Sequence, residues 1–212
     1  MPTFETIFAV ALAGLALSAT PGPSMLYVLS RSVGQSRAAG LASAIGLGLG
    51  GVLLAVATAL GLAALFNAVD WIVPLLKWAG SAYLVWLGVG MIRDARADAR
   101  ADLRVEKVQK RSFGAIVNQG VWIEVLNPKT VLFFALFLPP FVDPTAGSVT
   151  AQLLILGILV PLTAVPSDLI VAWLGGTAAE RLNRSQSARL MLSWTGGLVL
   201  IAIAVNLHVG LI

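Results

Sequence analysis

Two short stretches decide the fold: "SATPGPSMLYVL", residues 18–29, and "EVLNPKTVLFFALFLPPF", residues 124–141. Each sets helix-breaking residues in the middle of an apolar run that resumes at once. Proline has no amide hydrogen and its ring clashes with the carbonyl one turn back, so Pro21, Pro23 and Pro128 each free backbone polar groups. In hydrocarbon such groups are tolerated only where protein buries them or a wet cavity receives them. Everything then turns on whether these runs lie in a membrane.

Composition answers that. Hydrophobic residues make up 58% of the chain and charged ones 11%, against about 45–50% and about 25% in soluble domains; the mean hydropathy is +0.90. Six apolar stretches can be traced, Ile7 to Ser30, Leu41 to Phe66, Trp71 to Ile92, Phe113 to Val142, Leu153 to Leu174 and Leu190 to Ile212. Each meets the roughly 20 residues a helix needs to cross about 30 Å of hydrocarbon. The sequence therefore predicts an all-α polytopic membrane protein of six transmembrane helices, with helices 1 and 4 broken. The stretches use up almost all of the 212 residues, so residues 1–212 form a single membrane domain with no soluble one. The first stretch is expected to stay in the mature protein, because no Lys or Arg precedes it and it exceeds the apolar region of a signal peptide.

Charge sets the orientation. Of the fourteen Lys and Arg residues, twelve fall after spans one, three and five: Arg31 and Arg37, the seven between Arg93 and Arg111, and Arg181, Arg184 and Arg189. Lys77 stands alone on the opposite side and Lys129 lies inside span four. The positive-inside rule puts the basic loops in the cytoplasm and both termini outside. The net charge of +4 thus serves topology and calls for no nucleic-acid partner. Trp71, Trp78, Trp173 and Trp194 near span ends suit anchoring at the interface with lipid. The loop "RDARADARADLRVEKVQKRS", read as a helix, carries a basic stripe of Arg93, Arg96, Arg100, Arg104, Lys107 and Arg111 beside an acidic one of Asp94, Asp98, Asp102 and Glu106. It is either a solvated connector or a face resting on anionic headgroups.

The two breaks occupy matching places. Pro21 precedes Trp78 of "WAGSA" by 57 residues, and Pro128 precedes Trp194 of "WTGGL" by 66. This divides the chain into a first repeat, 1–92, a cytoplasmic linker, 93–112, and a second repeat, 113–212. Three crossings return the chain on the opposite side, so such a 3+3 repeat is inverted. Secondary transporters built this way hold their substrate at the repeat interface, at discontinuous helices. At a half-helix start, Gly22, Ser24 and Thr130 would offer unpaired amides carrying about half a positive charge, a site for a carboxylate.

Glu124, Lys129 and Asp168 are the ionisable side chains well inside the spans. Burying such groups costs at least about 2.5–3.5 kcal/mol each for Lys and Asp, so they should face the bundle interior and find partners. Lys129 pairs either with a substrate carboxylate or with Glu124 or Asp168. Asp168, following Pro161 and Pro166 in a locally weakened helix, is a candidate to bind an amino group or, with Glu124, to carry a proton. The glycines of "GLGLGG", 46–51, lie in an apolar span with no preceding strand and read as close helix packing, within the chain or across a homodimer. No Walker motif, metal-ligand cluster or catalytic Ser/His/Asp set is present, and there is no cysteine. The single histidine, His208, reads as interfacial. No cofactor, no metal and no enzyme activity are expected.

"TPGPSMLYVLSRSVGQSRAAGL", "KWAGSAYLVWLGVGMIR" and "NPKTVLFFALFLPPFV" resemble the signature segments of the lysine-exporter, or LysE/RhtB, family of bacterial amino-acid translocators. The resemblance runs through nearly the whole chain. It implies a six-helix inner-membrane exporter of amino acids or close derivatives, driven by the proton-motive force. It also implies a substrate site at Thr20, Pro21, Gly22 and Pro23, with Ser24 beside them, and at Asn127, Pro128 and Lys129. A passive channel or valve and a membrane sensor or assembly protein are the alternative readings.

Overall fold

The computed structural model describes residues 1–19, 22–68, 71–100, 108–174 and 185–209. Helices α1 (Phe4–Ala19) and α2 (Pro23–Gly34) form the first pair, followed by α3 (Arg37–Ala68) and α4 (Ile72–Arg100). Helices α5 (Phe113–Val125) and α6 (Pro128–Leu132) form the second pair. Here α6 runs on as a π-helical turn, Phe133–Phe137, and a 3-10 turn, Pro139–Phe141. Helices α7 (Val149–Leu174) and α8 (Gln186–Val209) complete the bundle. No strand occurs among the described residues.

Four helices are long and apolar enough to cross a membrane singly, and the two pairs qualify as bent spans, which makes six if each pair is one span. The bends are 56° at the first break and 49° at the second. Both are far short of the reversal a re-entrant hairpin needs, so the chain keeps its sense across each break. Large apolar side chains such as Leu60, Trp86, Ile170 and Met191 point outward, as a lipid-facing surface requires.

Lipid is as apolar as leucine, so helices in a membrane associate by close packing rather than by hydrophobic burial. The glycines supply that closeness. A Cβ on Gly88 would lie 2.6 Å from the Gly197 carbonyl oxygen, and one on Gly197 equally near that of Gly88, so α4 and α8 touch backbone to backbone. On α3, Gly46 abuts the Val117 carbonyl of α5, and a Cβ on Gly50 would lie 2.7 Å from the Glu124 Cβ. One turn round, Gly51 meets Pro161 of α7. The 46–51 glycines are thus occupied within the chain.

Polar stitching complements this on α2. Tyr27 donates its hydroxyl to the Ile116 carbonyl at 2.8 Å, and Ser32 donates to the Ala172 carbonyl at 2.6 Å. Arg31, counted above among the basic charges that follow span one, lies within α2 and is 4% exposed. It donates to the Gln109 carbonyl at 2.8 Å, to Gln119 Oε1 at 2.9 Å and to Gln35 Oε1 at 3.3 Å. Gln35 in turn donates to the Arg111 carbonyl at 2.7 Å. The end of the first pair and the 109–111 segment therefore share one face. On another, the Met1 amine donates to the Ala146 carbonyl at 2.7 Å, and Gln152 donates to the Asp143 carbonyl at 2.8 Å.

Three expectations change. The third span does not end at Ile92: α4 continues to Arg100, so the start of the linker extends that helix. Residues 108–112 are not helical, so the basic stripe does not reach Arg111 as one helical face; Arg104 and Lys107 lie outside the described residues. Helix α7 also runs unbroken through Pro161 and Pro166. Around them, Thr163 donates to the Val160 carbonyl at 2.8 Å and Ser167 to the Ala164 carbonyl at 2.7 Å. These hydroxyls bond carbonyls of their own turn and not those of Gly157 and Leu162, four residues before each proline, whose helical donors the prolines lack.

Candidate functional site

Both breaks open onto one cavity of about 60 Å³, enough for a few water molecules. Gly22 and Ser24 reach it from the first break, Glu124, Asn127, Lys129 and Thr130 from the second, and Asp168 from α7. The two breaks, about a hundred residues apart, are brought together across α3 and α7: glycines of α3 let α5 approach, and Gly14 of α1 lies against Thr163 of α7. Apart from Ser18 the remaining wall is apolar and includes Leu17, Met25, Phe134 and Val160. Thr20 and Pro21 lie outside the described residues. Pro23 and Pro128 each stand at the first helical position after the break, where a missing amide costs nothing and the fixed φ suits the helix. Neither lines the cavity.

The two helix starts differ. Asn127 caps α6 with its own side chain, whose oxygen accepts from the Lys129 amide at 3.1 Å. Gly22 precedes α2 with extended backbone and has no side chain to cap it. The first-turn amides of α2, those of Ser24 and Met25, have no hydrogen-bond acceptor among the described residues. Of the two breaks, the first offers an open helix N-terminus.

Glu124 joins the breaks. Ser24 donates its hydroxyl to one carboxylate oxygen at 2.5 Å, and Thr130 donates to the other at 2.9 Å. Asn127 donates from its amide nitrogen to the Ser24 hydroxyl at 3.1 Å. Acidic charge beside the first turn of α2 also complements the positive end of that helix. Lys129 points the other way: its Nζ donates to the Leu17 carbonyl, at the end of α1, at 2.9 Å. Tyr83 of α4 holds the Lys129 backbone, donating to its carbonyl at 3.1 Å. Asp168 lines the cavity, and its carboxylate makes no hydrogen bond among the described residues.

Sequence reasoning put charges and breaks in the bundle interior, and the geometry brings Gly22, Ser24, Glu124, Asn127, Lys129 and Asp168 to one place. It missed Tyr83, the Leu17 carbonyl and the role of the Thr130 hydroxyl. A tyrosine inside an apolar span was the available signal for Tyr83, since its hydroxyl must find a partner there. A backbone carbonyl leaves no signal in the sequence.

A family model described as LysE type translocator matches residues 15–210. A homoserine/homoserine lactone efflux protein of Salmonella typhimurium is 33% identical over 180 residues, covering 85% of this chain and 83% of its own. An uncharacterized membrane protein of Vibrio cholerae is 32% identical, covering 82% of this chain and 80% of its own. A leucine efflux protein of Salmonella choleraesuis is 31% identical over 59% of this chain and 58% of its own. No solved structure matches the chain.

Proposed function

The chain belongs to the LysE type translocator family, and from that premise we propose that it is a secondary-active exporter of amino acids or amino-acid derivatives, not an enzyme, working by proton antiport with alternating access. It sits in the bacterial inner membrane with both termini on the periplasmic side, as the distribution of Lys and Arg supports. The two halves, 1–92 and 113–212, act as inverted repeats around the site between them.

One observation carries the reading: an open helix start and a carboxylate without a hydrogen-bond partner, among the described residues, face the same cavity inside the bundle. They match the two ends of an amino acid. The substrate carboxylate takes the amides at the start of α2, with Gly22 and Ser24 at its side and Thr20 and Pro21 next to them in sequence. The ammonium takes Asp168. Asn127, Pro128 and Lys129 frame the second break. Asp168 and Glu124 are the groups that exchange a proton when substrate leaves. The substrate must bind the inward and outward states unequally, since equal affinity shifts no population.

The test is efflux of a mixed amino-acid load from proteoliposomes holding the purified protein, with and without an uncoupler. Selective, uncoupler-sensitive efflux supports the exporter and names its substrate. Downhill flux indifferent to the proton gradient returns the passive channel, and no flux of any amino acid sinks both.

A further inference from the structure

Lys129 is the cation among the described residues lining the cavity, and its ammonium meets the end of α1. It lies on the Leu17 carbonyl. In an unbroken helix that carbonyl would accept from the amide four residues on, and that residue is Pro21, which has none. Inside the bundle that carbonyl must take its donor from protein or from cavity water, and Lys129 is a donor observed there. The second break thus supplies what the first one lacks.

The electrostatics agree. Lys129 stands in the first turn of α6, beside the positive end of its own helix, where a cation is disfavoured. The last turn of α1 is a negative helix end, where it is favoured. At the opposite lip of the same gap, Glu124 accepts from Ser24 in the first turn of α2. A basic and an acidic group from the second break therefore hold the two facing helix ends of the first, each with the matching sign. Asp168 of α7 lines the same cavity, and Tyr83 of α4 fixes the Lys129 backbone from outside it.

We propose that Lys129 is a positioning residue: it provides the Leu17 carbonyl with the donor that Pro21 withholds, and so locks the end of α1 to α6, rather than binding the substrate carboxylate. This rests on the reading of the cavity as a substrate site and refines it.

Two measurements test it. The chain has no native cysteine, so Ser18→Cys, on the cavity wall beside Leu17, gives a single thiol whose maleimide labelling reports how firmly the end of α1 is held. Labelling should quicken by about fivefold or more in Lys129→Met and stay near the parent rate in Lys129→Arg, because only a donor is required. Counterflow of homoserine and of homoserine lactone then separates positioning from ligation, since the lactone lacks a free carboxylate. Lys129→Met should slow both by the same factor. Unchanged labelling, or a loss confined to homoserine, overturns the proposal. If the parent protein carries neither compound, its substrate is another one, named by the mixed-load efflux, and the labelling alone decides the role of Lys129.

Discussion

Replacing Glu124 with glutamine probes the junction of the two breaks with little change of shape. The glutamate accepts one hydroxyl on each oxygen, from Ser24 at 2.5 Å and from Thr130 at 2.9 Å. Glutamine keeps one acceptor oxygen and turns an NH2 toward the other hydroxyl, which can accept from it but no longer donate, so the charge-assisted bond there is lost. A hydrogen bond to a charged group contributes about 1.5–3 kcal/mol. The arrangement that ties both breaks to α5 should therefore weaken by roughly 10- to 150-fold. The variant keeps the Cβ that packs at Gly50, so helix packing is not the cause of any change. Initial efflux rates from proteoliposomes and the thermal unfolding midpoint in detergent should both fall. Efflux within twofold of the parent, with an unchanged midpoint, would refute the view that this carboxylate couples the two breaks.

Asp168→Asn should abolish export while leaving the protein inserted in the membrane, as measured by efflux beside membrane-fraction yield; full activity removes Asp168 from the ammonium site. Gly46→Ala should destabilise the bundle by about 1–3 kcal/mol, because its Cβ meets backbone of α5 that cannot yield cheaply. Gly61→Ala, whose Cβ meets nothing within 4 Å, should leave the unfolding midpoint unchanged or raised. Arg31→Met should free the 109–111 segment, since the Gln109 carbonyl and Gln119 lose their donor at about 1–3 kcal/mol each; faster limited proteolysis near Lys110 is the expected sign. Outside the spans, hydrogen bonds from the Thr145 side chain and amide hold the Asp143 carboxyl below the usual carboxylate range. Their contribution is present above the ordinary carboxylate pKa and is lost as pH falls through the depressed one, so amide exchange in the 143–147 loop should quicken on acidification.

How much of the site could be read in advance depended on which atoms carry it. Pro23 and Pro128 announced the breaks because proline's missing amide acts locally, and the structure starts a helix at each. Glu124, Lys129 and Asp168 announced themselves because charge in hydrocarbon must be accommodated, and all three line the cavity. Pro161 and Pro166 misled, because membrane helices tolerate proline where the surrounding helices accommodate the freed backbone groups, and that is settled by three-dimensional packing. The pairing offered for Lys129, substrate or carboxylate, omitted its observed partner because a main-chain carbonyl looks the same at every residue.

By itself the sequence determined the solvent, the spans and the places where helices must break, since hydropathy and proline chemistry act over a turn or two of chain. The same short range fixed the inventory of intramembrane charges. Only the tertiary structure decided how they pair. Close approach at Gly46 and Gly50 sets α5 beside α3, which carries Glu124 to the start of α2 and Lys129 to the end of α1. Contacts between residues a hundred positions apart depend on how whole helices pack, and a carbonyl freed by Pro21 finds its donor only once the two breaks share one cavity.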